Sequence, residues 1–580
     1  MTNNFQEKAN FIWQVADDIL RGTFKAHEYG DVILPFVVLR RLDLVLEPKK
    51  DAVIKQFEQF QKSLDEERMI PVLRQAAGSI NFYNHSVYDL RRLAQDSKNI
   101  EINFGNYLQG YSKNVRETIE NFQLEKIINK LSKNDLLYQL VEMFTEVDLS
   151  PKSVTNHEMG YIFEDLLRRF SEMSNETAGE HYTPRDAIRL MASLMFAEHK
   201  QELKGKGIIR SVFDPAGGMG GMLITAQDYI HSEINPNLEV VMYAQELNEQ
   251  SYAIAKSEVL IMGENAENIR QGNSFTQDKF KGQQFSYMFC NPPFGVSWAK
   301  EENFIKNEAN DPHGRFAAGT PRTSDGALMF LQHMISKMEA GGSRIAIIFN
   351  GSPLFTGDAG SGESNIRKWI IENDWLEAVV AMPTEMFYNT GIATYIWMVT
   401  NRKPKHRKGK VQLINAVDFA APMRKSLGNK RKYFTDEHIQ QITKIYKDFE
   451  NSEVSKIFDN EDFGYTKVTV ERPPAEQTLK VSREDSKVKK TAKTFRVSDS
   501  SLRDYEKIPL KDDIDSYFER EVKPHVPDAW MDRSKDKVGY EISFTKYFYE
   551  YAPLRSLADI KADILKLEVE TEGLLGEILE

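Results

Sequence analysis

Four consecutive residues, Asn291-Pro292-Pro293-Phe294, put a side-chain amide, two rigid backbone units and an aromatic ring directly after the apolar run Phe285-Ser286-Tyr287-Met288-Phe289-Cys290 and before Gly295. The run has the length and character of a buried strand, so the tetrapeptide is expected at a strand's carboxyl end. Two prolines in succession lack N–H donors and hold φ at about −65°, which ends the strand and stiffens the loop. In such a loop the Asn291 side-chain oxygen and the Pro292 carbonyl can converge on one amino group, while Phe294 offers a face to a flat ring. The chemistry this suits is methylation of an exocyclic amino nitrogen. That nitrogen is a weak nucleophile because its lone pair is delocalised into the base. Fixed acceptors on both N–H bonds shift it towards tetrahedral geometry and turn the lone pair outward, so alignment and preorganised polarity suffice without a covalent intermediate. A base held this way has left its stack, and stacking on an aromatic ring offsets that loss by about 1–3 kcal/mol. Asn-Pro and Pro-Pro are also common turn dipeptides, so the tetrapeptide alone is equally a plain strand ending.

The elements around it sharpen the reading. Ile208 to Phe213 is a short strand that runs into Asp214-Pro215-Ala216-Gly217-Gly218-Met219-Gly220-Gly221-Met222, and Leu223 to Ile230 then reads as a helix. A strand, glycine turn and helix in this order let backbone approach a nucleoside cofactor, and the turn lacks the Gly-Lys-Ser/Thr of a phosphate loop. The next strand, Leu238 to Gln245, ends in Glu246, where an acid normally binds a ribose diol. A helix from Asn248 to Met262 leads to the polar turn Gln271-Gly272-Asn273-Ser274, and the strand before Asn291 follows. All four turns would stand at strand carboxyl ends, which in an open α/β sheet form one crevice. Upstream, Glu180-His181-Tyr182-Thr183-Pro184-Arg185 leads into the helix Asp186 to Phe196 and could meet an anionic group there.

The remainder supplies the frame. Residues 1–150 read as a helical domain, in which Arg40 and Arg41 form either a solvated edge or a DNA-facing one. Residues 151–424 read as an α/β, doubly wound and mostly parallel catalytic sheet. Glu301 to Ser324 is a long polar loop beside the crevice, Phe387 and Tyr388 could line a base pocket, and Arg402 to Lys410 is a compact basic run. Residues 425–580 read as an extension with a polar linker at Val481 to Ser501 and a strand-like stretch at Tyr540 to Tyr551. A final helix opens at Ser556, and its seam of Leu557, Ile560, Ile564, Leu567, Thr571, Leu574 and Ile578 wants a partner helix, in a separate subunit or in the chain's own body.

At 580 residues, with 41% hydrophobic and 28% charged residues, the chain has the make-up of a multidomain soluble protein. No signal or membrane segment is evident, and a cytoplasmic location is expected. A single cysteine, Cys290, excludes an internal disulfide and a cysteine-based zinc cluster, and no metal site is expected. The net charge of −11 argues against coating nucleic acid by bulk electrostatics, so local basic patches or a partner must supply affinity for DNA.

With these motifs in hand, the sequence resembles the modification subunit of type I restriction-modification systems, a family of DNA adenine-N6 methyltransferases. The resemblance spans essentially the whole chain, from Glu28-Tyr29-Gly30-Asp31 to Gly539-Tyr540-Glu541-Ile542-Ser543-Phe544-Thr545. It implies S-adenosylmethionine as cofactor. Tyr182, Thr183 and Pro184 would lie along its methionine end, with Gly217 to Gly221 beneath and Glu246 on the ribose. Glu180, His181, Arg185, Asp214, Met219 and Asn273 complete the implied cofactor set. Asn291 and Pro292 would accept the amino hydrogens of a flipped adenine stacked on Phe294. The resemblance also implies DNA as substrate, a separate specificity subunit met through the terminal helix, a second copy of the chain, and a restriction subunit in the full complex. His181, Asn273 and Ser286 depart from the family pattern, which has an aromatic Phe at the first position and acids at the other two. Asn273 is expected to accept from the cofactor adenine through its carbonyl. Rival readings are methylation of cytosine N4, an RNA base or a protein glutamine, and a scaffold without activity.

Overall fold

A computed structural model of the chain describes residues 4–78, 80–174, 183–262, 264–388, 390–474, 498–549 and 556–567. Residues 1–542 form one compact unit and 543–580 a second.

The first 150 residues are helical, and the helix Tyr29–Leu46 is buried along nearly its whole length. Arg40 and Arg41 lie on it, but on neither of the edges the sequence suggested. Both are buried. Arg40 donates to the carbonyls of Val147 and Thr145, each at 2.8 Å, and Arg41 to those of Leu149 at 2.5 Å and Val154 at 2.8 Å. Arg41 also donates to Asn156 Oδ1 at 2.7 Å. The two guanidinium groups therefore tie the helical domain to the segment that leads into the sheet, satisfying carbonyls that would otherwise be buried without donors. Arg41→Met is expected to lower the unfolding free energy by about 3 kcal/mol, because it strands several buried acceptors at once. Urea denaturation checks this, and a loss below about 0.5 kcal/mol contradicts it.

The central sheet has nine strands: β1 (Ile209–Asp214), β2 (Glu239–Glu246), β3 (Ile269–Gln271), β4 (Tyr287–Cys290), β5 (Arg344–Asn350), β6 (Leu376–Ala381), β7 (Thr394–Thr400), β8 (Lys410–Asn415) and, after the hairpin β9 (Ala421–Leu427) and β10 (Lys430–Tyr433), β11 (Ser455–Asp459). Their spatial order is β11-β8-β6-β7-β5-β4-β1-β2-β3. β1 runs parallel to β2 and β4, β2 to β3, β4 to β5 and β6 to β8, while β7 and β11 run antiparallel to their neighbours. The central strands β4, β5 and β6 are almost wholly buried, and helices such as Arg185–Phe196, Gly221–Glu233 and Glu249–Ile261 pack into the same core. The sheet reaches past residue 424, since β11 closes one edge.

A smaller antiparallel sheet pairs β12 (Gly464–Glu471) with β13 (Asp504–Pro509), β14 (Trp530–Met531) and β15 (Lys537–Tyr540). The strand-like reading of Tyr540 to Tyr551 is corrected here: the strand ends at Tyr540, and Phe544–Phe548 is helical. Most of the expected linker lies outside the described residues. In the second unit residues 557–567 are helical, and Leu557, Ile560, Ile564, Leu565 and Leu567 are exposed; the rest of the seam lies outside the described residues. Among the described residues no helix is long and apolar enough to cross a membrane.

Candidate active site

β1 lies between β2 and β4, so the order of strands reverses there. The carboxyl ends at such a reversal open a crevice. A cavity of about 510 Å³ occupies it. Its wall takes Pro215 and Ala216 from the turn after β1, Glu246 and Asn248 after β2, Asn273 and Phe275 after β3, and Asn291 and Pro293 after β4. The four turns singled out in the sequence thus share one space of a size suited to a nucleoside-sized ligand.

The Asn291 amide is fixed from one side only. Its Nδ2 donates to Thr183 Oγ1 at 2.9 Å, and this bond determines which way the amide faces. Its Oδ1 is buried and has no hydrogen-bond partner. A buried carbonyl without a donor costs about 1–3 kcal/mol, so its presence beside a cavity points to an acceptor kept for a ligand's N–H. Pro292 is buried and Phe294 is half-buried at the rim of the main core, with Gly295 turning away at φ 65°.

The turn after β1 depends on its glycines at two places. A Cβ on Gly217 would stand 2.8 Å from Ala244 Cβ on β2, so a side chain there would wedge the two strands apart. Gly220, with φ 85°, begins the helix Gly221–Glu233 in the left-handed region that side chains disfavour. The Glu246 carboxylate holds the turn, accepting from Gly218 N at 2.8 Å and Asn248 N at 2.7 Å. Asp214 is buried and accepts from Ala216 N at 3.0 Å, so it shapes the turn from beneath without lining the cavity. Burial, with a smaller push from the nearby Glu246 charge, raises its carboxyl from the ordinary 3.8 to about 8; the Ala216 bond opposes this.

That shift carries a stability prediction. Below about pH 3.8 the folded and unfolded states both hold the proton. Between there and about pH 8 only the folded state does, so this residue makes stability fall as pH rises, and the effect levels off above about 8. Asp214→Asn keeps the acceptor and removes the titration. The variant is expected to gain stability relative to the natural chain as pH is raised from 5 to about 8. Thermal denaturation across that range checks it, and a difference independent of pH contradicts it.

The rest of the cavity wall comes from residues at and on either side of the segment the sequence presented as a polar loop. That segment contains the helix Glu302–Ala309 and packs its Ile305 and Phe316 into a small core with Phe275, Trp298 and Met329. Trp298, Glu301 and Phe330 line the cavity. Arg315 pairs with Glu308 at 2.7 Å and donates to the carbonyls of Ser274 at 2.9 Å and Phe275 at 2.5 Å, clamping the turn after β3 against this segment. Asn273 differs from expectation: its Oδ1 already accepts from Phe275 N at 2.9 Å and Thr276 N at 3.2 Å, as a capping side chain does.

The N-6 DNA methylase family model matches residues 154–472, more than half of the chain, and the HsdM N-terminal domain model matches residues 8–144. The chain belongs to the N-6 DNA methylase family. The Type I restriction enzyme MjaIX methylase subunit of Methanocaldococcus jannaschii is 28% identical to this methylase over 483 residues, covering 77% of this chain and 78% of that one. The EcoKI methylase subunit of Escherichia coli is 25% identical over 308 residues, covering 50% and 53%. Among solved structures, the type I restriction-modification methyltransferase subunit from Streptococcus thermophilus has the same fold, with a TM-score of 0.61, 20% identity and coverage of 80% of this chain and 97% of that chain. The methylase is thus a DNA adenine-N6 methyltransferase of the type I modification kind. Cytosine N4, RNA, protein and scaffold readings find no support in these likenesses.

Other expected site residues of the methylase fall elsewhere. Glu180, His181 and Tyr182 lie outside the described residues. Thr183 meets Asn291, and Pro184 precedes the helix Arg185–Phe196. Arg185 is buried with its guanidinium 4.3 Å over the Tyr161 ring, away from the cavity wall. The Met219 side chain joins the main core, as does Phe387, which is therefore a packing residue. The basic run is divided: Arg407 is fully buried and donates to Gln412 Oε1 at 3.0 Å, and Lys403 is buried and pairs with Asp374 at 2.6 Å, while Arg402, Lys405, His406 and Lys408 are exposed. Ser286 sits at the amino end of β4, donating to Glu339 Oε1 at 3.0 Å, far along the strand from the tetrapeptide. Cys290 is buried, and its thiol is pushed well above its usual range by desolvation, so it is an inert core residue.

Proposed function

We propose that the adenine amino group is received by Asn291 Oδ1 and the Pro292 carbonyl at the mouth of this cavity, with S-adenosylmethionine held by the turns after β1, β2 and β3. The observation that carries the reading is the unpartnered, buried Asn291 Oδ1 on the wall that also presents Glu246 and the glycine turn. The cavity fits such a cofactor. The turn after β1 brings Pro215 and Ala216 to the wall, Glu246 presents a carboxylate beside them where a ribose would lie, and Leu247, Phe275, Trp298 and Phe330 give apolar walls for a purine. When bound, S-adenosylmethionine supplies a methyl group on a positively charged sulfur. Thr183 positions Asn291 by accepting from its Nδ2, so the oxygen cannot turn away when the base arrives. Asn291 and Pro292 accept the two amino hydrogens and free the nitrogen lone pair, and Phe294 supports the ring. The prolines keep these acceptors from rearranging, so no reorganisation is needed at the reacting nitrogen.

The methylase works, in this reading, within a type I complex. A specificity subunit that reads the DNA site docks on the terminal helix, whose apolar residues from Leu557 to Leu567 are exposed. A second copy and a restriction subunit complete the assembly. Labelled methyl transfer to duplex DNA, with and without a co-expressed specificity subunit, tests this. Transfer confined to the site of the added subunit is the expected result, and transfer that ignores it counts against the partner assignment.

A further inference from the structure

Asn273 leaves a question that its neighbours answer. Its carbonyl is committed to two backbone N–H groups of its own loop, so it has little left to offer an amino group. Its Nδ2 donates instead to Glu301 Oε1 at 3.1 Å. Glu301 is half-buried, lines the same cavity, and is tied down on both sides of its backbone: its N–H donates to the Trp298 carbonyl at 3.0 Å and its carbonyl accepts from Ile305 N at 3.0 Å. The Trp298 indole beside it is fixed by donation to the Arg322 carbonyl at 3.0 Å. One carboxylate oxygen is thus occupied by Asn273, and the other is available on a rigid segment beside an aromatic wall.

We propose that Glu301 and Asn273 together read the edge of the cofactor's purine, Glu301 accepting from its amino group and the second Asn273 amide hydrogen donating to the adjacent ring nitrogen. The inference rests on the reading of this cavity as the S-adenosylmethionine site. The pair presents an acceptor beside a donor. Adenine presents a donor beside an acceptor, which matches. Hypoxanthine presents the reverse, so its carbonyl oxygen would face a carboxylate and its ring N–H an amide hydrogen. A site built to pair with an amino group rejects the analogue that lacks it, because its own buried polar groups are left unmatched. The acceptor thus comes from the segment after the catalytic tetrapeptide, while position 273 supplies the orienting amide.

Calorimetric titration of the full-length chain with S-adenosylhomocysteine and with S-inosylhomocysteine tests this without any turnover. The wild type is expected to prefer the adenosyl ligand by at least about tenfold. In Glu301→Ala the adenosyl ligand is expected to weaken about tenfold and the inosyl ligand to change less than about twofold, so the preference collapses. General damage to the site weakens both ligands alike, and that outcome, or no change in either, overturns the assignment of Glu301. Glu301→Gln preserves volume and takes the place of the alanine variant if that chain does not fold; a preference kept at the wild-type level in Glu301→Gln also overturns it. Failure of the wild type to bind S-adenosylhomocysteine is a different result: it removes the cofactor reading of the cavity, and the inference with it.

Discussion

Replacing Asn291 with alanine is expected to slow methyl transfer by about 100-fold to 1,000-fold, while S-adenosylhomocysteine binds within about threefold of its normal affinity. The size follows from what the side chain does. Its Oδ1 is an acceptor fixed in advance, with its orientation set by the Nδ2 bond to Thr183. Deleting one preorganised polar partner of a reacting group costs about 3–4 kcal/mol in comparable sites. Cofactor binding survives because the ribose and purine walls come from other turns. Single-turnover transfer measured beside calorimetric titration separates the two effects. Loss of both in proportion would mean that Asn291 is a structural member of the cavity wall.

Glu246→Ala should do the opposite, abolishing cofactor binding with a loss of about 100-fold or more. The carboxylate both faces the cavity and accepts from Gly218 N and Asn248 N, so its removal deletes the expected ribose contact and releases the glycine turn and the start of the helix Glu249–Ile261. Two charge-assisted bonds, each contributing about 1.5–3 kcal/mol, are at stake before any ligand contact is counted. Glu246→Gln separates these roles. It retains one acceptor for the turn and is expected to lose about tenfold in affinity with little change in melting temperature. Equal binding by wild type and Glu246→Ala would contradict the placement of the ribose.

How much of this was legible in the chain depended on whether the signal was local. The strands around the crevice are short apolar-rich runs that end in a proline, an acid or an asparagine, so β1, β2 and β4 could be read within a residue or two, and the crevice followed from their order. Charged residues misled wherever their partners were distant. Arg40 and Arg41 interrupt an apolar stripe and look like an edge, yet carbonyls more than 100 positions away take them into the core. Arg407 and Lys403 sit in a run that composition alone marks as basic surface, and Gln412, Asp374 and neighbouring carbonyls draw them inward. The segment after the tetrapeptide was hidden for the same reason. Its polar residues suggested an open loop, while the Arg315–Glu308 pair and the cluster around Phe316 make it a folded wall. Glu301 falls within the loop expected beside the crevice, while Trp298 and Phe330 on either side of it were missed. The one available signal was closeness in sequence to Asn291, which placed Trp298 and Glu301 near the crevice without saying which way they face.

The central claim is that one stiff loop presents acceptors to an adenine amino group. Mass spectrometry of nucleosides from duplex DNA, incubated with S-adenosylmethionine and the methylase in complex with its specificity subunit, tests it most directly. N6-methyladenine formed by the wild type and absent with Asn291→Ala is the predicted result; N6-methyladenine formed equally by both, or methylated cytosine in its place, would contradict it.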